Sequence, residues 1–105
     1  MRKVSLTVLL LLGTAFSAAA DESTSVAQHR RQFVPAAVTI NRGEIVSIRN
    51  EDPFFHHLYV DSVRFRFSSE EQKPDEVVRI RFPKAGEYHV QCKIHLKMDL
   101  RVSVQ

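Results

Sequence analysis

The sequence predicts an all-β domain, an antiparallel Greek-key β-sandwich of about seven short strands. Three observations carry that prediction. From Phe33 onward, apolar and polar residues alternate with period two through most segments, the pattern of strands that bury one face. Turn-forming clusters punctuate these segments at Asn41-Arg42-Gly43-Glu44, Asn50-Glu51-Asp52-Pro53, Lys73-Pro74-Asp75 and Pro83-Lys84-Ala85-Gly86. No stretch carries a convincing helical period. Short strands with turns at this spacing are the signature of a sandwich.

Taken in order, residues 1–20 read as an export signal. Arg2 and Lys3 precede an apolar core from Val4 to Leu12, and Ala18-Ala19-Ala20 offers a small-residue cleavage site before Asp21. The apolar run is too short to span a bilayer. After cleavage no membrane span is expected, and the location is periplasmic or secreted. Residues 21–32 are polar and read as a flexible N-terminal arm, with His29 an isolated surface histidine. Residues 33–105 form the single domain.

Phe33 to Ile40 and Ile45 to Arg49 flank the Asn41–Glu44 turn and read as a hairpin. Pro53 cannot donate to a ladder and interrupts the pattern. Phe54 to Asp61 resumes it, and parity becomes informative. His56, Leu58 and Val60 share one face; His57, Tyr59 and Asp61 share the other. The first face is apolar apart from His56, so His56 is expected to point inward beside a loop, and His57 outward. Val63, Phe65 and Phe67 alternate with Arg64 and Arg66 as a further half-buried strand. Ser68 to Asp75 is a polar loop. Val78, Ile80 and Phe82 then alternate with Arg79 and Arg81. Tyr88-Val90-Cys92 and Leu100-Val102-Val104 form the last pair of strands, and His89 shares the outward face with Gln91. There is no internal repeat and no linker that would mark a second domain.

Composition excludes several function classes. The formal charge of +3 includes Arg2 and Lys3, while all 12 acidic residues follow the leader, so the exported chain carries +1. Basic and acidic residues are interleaved and no Trp is present. Nucleic-acid binding is therefore not expected. A chain of this length makes one small, monomeric domain with little core to spare, and a bound metal would add to its stability. The single cysteine, Cys92, cannot form an internal disulfide. In an oxidising compartment a lone thiol is buried, paired with another chain, or held by a metal.

Its neighbours favour the metal. His95 follows Cys92 by three positions and Met98 follows His95 by three; Met98 is the only methionine outside the leader. A thiolate, an imidazole and a thioether form a soft nitrogen and sulfur donor set, suited to copper, zinc or iron rather than calcium or magnesium. All three lie on the loop between the last two strands. The inward-facing His56 is the candidate fourth donor.

These residues resemble those of the cupredoxins, the small type 1 blue copper proteins, nearest to the plastocyanin and amicyanin types. Three pieces carry the resemblance: Asn50-Glu51-Asp52-Pro53-Phe54-Phe55-His56, Phe82-Pro83-Lys84-Ala85-Gly86-Glu87-Tyr88, and Cys92-Lys93-Ile94-His95-Leu96-Lys97-Met98. It extends over Phe33 to Val104. The C-x2-H-x2-M spacing is its most specific part and resembles the short ligand loop of amicyanin. The resemblance implies one type 1 copper ion, with His56, Cys92 and His95 as strong ligands and Met98 as the weak axial one. Two positions depart from the family pattern. His57 stands where relatives carry an Asn that ties the two ligand loops together; its ring nitrogen offers a replacement. Ile94 stands where many relatives carry Pro.

The function expected from this set is a carrier of single electrons between protein redox partners, with no substrate chemistry. Copper storage, sensing or delivery is the alternative, disfavoured because such sites are often rich in Met and only one is present here. Nothing suggests an enzyme: there is no open metal triad with a base and no nucleophile beside an orienting His. A structural zinc site is disfavoured by Met98. Phe54, Phe55, Ile94 and Leu96 are the candidate apolar rim for partner docking, with Lys93 and Lys97 as cations that would steer an acidic partner.

Overall fold

Nine strands build two sheets over residues 23–105, the part of the chain that the computed structural model describes. The export signal expected at residues 1–20 lies outside the described residues. One sheet has the order β2 (Gln32–Val34), β1 (Ser23–His29), β4 (Ile45–Asn50), β7 (Val77–Arg81). The other has the order β3 (Ala37–Ile40), β9 (Asp99–Val104), β8 (Gly86–Cys92), β5 (Leu58–Asp61), β6 (Arg66–Ser68). No helix occurs among the described residues. Val26, Val46, Ile48 and Ile80 of the first sheet share one buried cluster with Leu58, Val90, Leu100 and Val102 of the second. Two sheets that each bury one face against the other make the expected sandwich.

Three details correct the sequence reading. The sheets are mixed rather than purely antiparallel. β1 runs parallel to β4, from Ser23 beside Ile45 to Gln28 beside Asn50, and β3 runs parallel to β9. Period-two alternation identifies a strand but carries no information about its partner's direction. Within the stretch expected to be a flexible arm, the described residues 23–32 are ordered into strands and a turn instead. Ser23–His29 is a full strand between β2 and β4, with Val26 and Gln28 buried. Finally, the two segments around Asn41–Glu44 are not a hairpin, because β3 and β4 belong to different sheets. The turn carries the chain across the sandwich. Its sharp reversal uses Gly43 at φ +83°, whose amide donates to the Phe82 carbonyl at 2.7 Å.

The strand expected over Val63, Phe65 and Phe67 is shorter than the pattern suggested. Ser62 and Phe65 close a turn with reciprocal backbone hydrogen bonds, and Val63 projects into solvent at 98% exposure. Phe65 and Phe67 do pack on the core, with the Phe65 ring 5.4 Å from that of Phe82.

The parts that position the site follow the sequence closely. β8 and β9 form an antiparallel hairpin from Gly86 beside Val104 to Gln91 beside Asp99, with residues 93–98 as its loop. β5 lies against β8 so that Leu58 is opposite Cys92. The segment before β5 is held by an isolated bridge: His56 N–H donates to the Gln72 carbonyl at 3.0 Å and Gln72 N–H to the His56 carbonyl at 2.7 Å. As parity required, His56, Leu58 and Val60 are buried while His57 and Tyr59 are half-buried and Asp61 is exposed.

Candidate metal centre

The end of the sandwich where β5 begins and β8 stops gathers the nitrogen and thiol donors His56, Cys92 and His95. His56 Nδ1, Cys92 Sγ and His95 Nδ1 all lie within 4.8 Å of one another. The two imidazole nitrogens are 3.2 Å apart, and Sγ is 3.6 Å from His56 Nδ1 and 3.8 Å from His95 Nδ1. A triangle with these sides has a centre about 2.1 Å from each donor, which is the bond length of imidazole nitrogen to a first-row metal ion. The donor atoms thus fit a single ion before any is added.

Hydrogen bonding leaves those atoms with lone pairs to offer. The Nε2–H of His56 donates to Asp52 Oδ2 at 2.8 Å. An ionised carboxylate can only accept, so in the neutral ring the hydrogen sits on Nε2 and Nδ1 is bare. Burial alone would raise the Asp52 carboxyl, but the hydrogen bonds from His56, from the Arg31 amide and from the Arg30 amide, together with the charge of His56, outweigh it and hold the group below 3.8. Cys92 Sγ is fully buried and accepts the backbone N–H of His57 at 3.4 Å. His95 is pushed below the ordinary imidazole value of 6.5, first by burial, then by the charges of His56 and Arg31, with Asp52 opposing. Its ring is therefore neutral near pH 7 and free to act as a ligand. A buried cysteine sulfur and two imidazole nitrogens aimed at one point form a cation site of the soft type.

The two ligand-bearing loops are tied through the backbone. Lys93 N–H donates to the His57 carbonyl at 2.9 Å, on the same peptide segment whose amide reaches Cys92. The His57 ring does not make this tie. Its Nε2 pairs with Ser68 Oγ at 2.8 Å, toward β6. Main-chain atoms that any residue would offer thus perform the joining that the sequence reading sought in the ring. Met98 is buried, and its N–H closes the loop by donating to the His95 carbonyl at 3.1 Å.

Aromatic packing closes one side. The Phe54 ring lies 5.4 Å from that of His56 and 5.1 Å from that of His95, and the Arg31 guanidinium sits 5.0 Å from the Phe54 centroid. Phe54 is half-buried and belongs to the site, whereas Phe55 is 45% exposed. Ile94 at 54% and Leu96 at 80% exposure flank His95 in sequence. His29 and His89 are exposed and are not members of the cluster; His89 Nδ1 pairs with Asp99.

Asp52 and Arg31 are the members that sequence reasoning missed. Asp52 lay inside a turn cluster where acidic residues are ordinary. Its four-residue spacing from His56 was the one available signal. Arg31 lay in the stretch read as an arm.

The comparisons with known proteins agree with this geometry. The family profile of the cupredoxin-like domain matches residues 3–102. A copper-containing nitrite reductase (NirK) from Thermus scotoductus SA-01 superposes with TM-score 0.71 at 28% identity, over 80% of this chain and 22% of that one. The present chain therefore corresponds to about a fifth of that protein's length. Amicyanin from Paracoccus versutus superposes with TM-score 0.73 at 25% identity, over 80% of this chain and 82% of that one. No curated protein sequence matches. The family binds copper, the cluster of His56, Cys92 and His95 suits a single type 1 ion, and with the profile covering nearly the whole sequence the chain belongs to the cupredoxin family.

Proposed function

We propose that this protein is an exported carrier of single electrons, with His56, Cys92 and His95 as the strong copper ligands and Met98 as the weak axial ligand. The observation that carries the reading is the donor triangle, closed to the dimensions of one ion by a buried cysteine sulfur and two imidazole nitrogens. Copper, when bound, supplies the one-electron couple between Cu(II) and Cu(I).

The chain's own residues supply the rest. Cu(I) favours few, soft ligands and Cu(II) favours a tetragonal set, so a site held rigidly between the two needs little movement on electron transfer. Rigidity comes from the bridge of His56 to Gln72, the backbone tie of Lys93 to His57, and the anchoring of the loop by Met98. Phe54 keeps water from one side of the imidazoles. His95 is the half-buried ligand, and the exposed Phe55, Ile94 and Leu96 form an apolar rim for a partner. Arg30, Arg31, Lys93 and Lys97 lie near this rim, and an acidic partner surface would complement them. Each feature serves delivery of an electron rather than turnover of a substrate, so the protein is read as a carrier and not an enzyme.

The test is to add Cu(II) to the metal-free domain. An intense blue thiolate-to-copper band, bleached by a one-electron reductant and restored by oxidation, is the expected result. Cys92→Ser abolishes the band; Met98→Leu keeps it and shifts the potential. A pale, tetragonal complex that releases copper readily to a chelator would favour storage or delivery instead.

A further inference from the structure

The turn between β1 and β2 is built from Arg30 and Arg31, both with left-handed backbone, φ 52° and 59°. Two such residues in succession suit the tight turn of a right-twisted hairpin, but Asn and Gly adopt them at least cost. Here two arginines keep that conformation, and both of their amides point at one buried carboxylate. Arg30 N–H donates to Asp52 Oδ1 at 2.7 Å and Arg31 N–H to Oδ2 at 3.2 Å. Oδ2 also accepts the Nε2–H of His56 at 2.8 Å. The Asp52 backbone is held as well, since Asp52 N–H donates to Asn50 Oδ1 at 2.9 Å and Asn50 Nδ2–H to the Phe54 carbonyl at 2.8 Å. A surface turn, 26 positions earlier in the chain at its first residue, thus reaches a site imidazole through a single side chain.

We propose that the β1–β2 turn is a working part of the metal centre. Acting through Asp52, it fixes which nitrogen of His56 faces the cluster and strengthens that nitrogen as a donor. The inference rests on the copper reading above. Asp52 is a positioning residue: it touches no donor position of the triangle and acts through the ring it holds. A carboxylate on the far nitrogen pins the ring orientation and raises its electron density, and such partners matter nearly as much as the ligands themselves. Added electron density favours the higher charge state, so Asp52 stabilises Cu(II) relative to Cu(I).

Three measurements test this, and the first needs no metal. In the metal-free protein at pH 8, histidine nitrogen NMR is expected to find the His56 hydrogen on Nε2, exchanging slowly with solvent, and Asp52→Ala to lose that protection. A hydrogen on Nδ1 in the unaltered protein, or equal protection in the variant, overturns the proposal. In the copper-loaded protein, Asp52→Asn and Asp52→Ala weaken Cu(II) binding by about 10- to 100-fold with less effect on Cu(I). The potential then rises by about 59 mV for each tenfold difference, and Asp52→Glu, which keeps the charge, restores part of it. Equal weakening for both ions, with the potential unmoved, marks Asp52 as merely structural and overturns the proposal. Insertion of one glycine between Arg30 and Arg31 moves the amides off Asp52 and shifts the potential in the same direction; no shift removes the turn from the site. Were the chain to bind no copper, the carrier reading would fail while the metal-free measurement still decided whether Asp52 orients His56.

Discussion

Two histidines of the cluster do different work because their surroundings differ. His56 is fully buried, bridged to Gln72 by its backbone and to Asp52 by its ring. His95 sits half-buried on a loop, and its ring finds only the other members of the cluster and the face of Phe54. The first is a fixed point and the second is the route to solvent. The depressed pKa of His95 has a consequence for the metal-free protein. Between its folded value and 6.5, the unfolded chain binds the proton and the folded chain does not, so stability rises with pH in that window. Metal-free protein is therefore expected to lose stability as pH falls through 6.5, until the folded value is passed. Denaturant midpoints taken from pH 7.5 to 5 check this. His95→Gln, which does not titrate, flattens the profile; an unchanged slope in that variant would assign the effect to another group. At this scale the sequence was legible wherever residue type alone limits the chemistry. One thiolate, one imidazole and one thioether at three-residue spacing can serve few purposes together. The parity of His56 against His57 was legible too, because strand geometry forces neighbours to opposite faces. Asp52 was not, because a carboxylate in a turn cluster has many uses and only its partner reveals which one applies.

Among the elements, the N-terminal hairpin separates most from its sequence pattern. Ser23–His29 reads STSVAQH, with Val26 the only large apolar residue, yet it is an inner strand paired on both sides. Its buried positions are filled by Val26 and Gln28, so no apolar alternation advertises it. The Arg30–Arg31 turn lacks the Asn or Gly that signals a two-residue hairpin. Both omissions have one cause: the strand is specified by parallel pairing with Ile45–Asn50, a partner more than 20 positions away. The turn stores strain, since a side chain in the left-handed region costs about 1–2 kcal/mol. Arg30→Gly keeps the amide donated to Asp52 and relieves that cost, offset in part by added freedom in the unfolded chain. A gain of about 1 kcal/mol, seen as a rise in Tm of about 4–8 °C, is expected for a domain of this size. Arg30→Val, branched at Cβ, lowers Tm instead. Calorimetry on the two variants checks the sign of each.

As a whole, the molecule is a sandwich whose one end is occupied by polar, metal-seeking groups. Cys92, fully buried, belongs to the hydrophobic cluster as well as to the donor triangle. His56, Asp52, Asn50 and Gln72 bring buried polar atoms to the same region. Such groups weaken a small core unless they are paired, and a bound ion pairs the three donors at once. Ligand bound only to the folded state adds about 4.1 kcal/mol at a free concentration 1,000 times its dissociation constant. Copper is therefore expected to raise Tm by on the order of 20 °C, measured by scanning calorimetry before and after chelation. A rise of a degree or two would mean that the cluster is held together without the ion.

Readable from residue order were the all-β class, the faces of the later strands, a loop between the last two strands and the identities of the candidate donors. Each of these depends on local periodicity or on the chemistry of a side chain, which are properties of neighbours in the chain. The folded chain alone reveals that β1 runs parallel to β4 and β3 to β9, that residues 23–32 belong to the domain, and that Asp52 stands between Arg30, Arg31 and His56. The first two come from backbone pairing between segments far apart in sequence, and the third from one carboxylate meeting two main-chain amides and a ring across the same fold. Hydrogen bonds of that kind are made by main-chain atoms that every residue shares, so side-chain pattern carries little record of them.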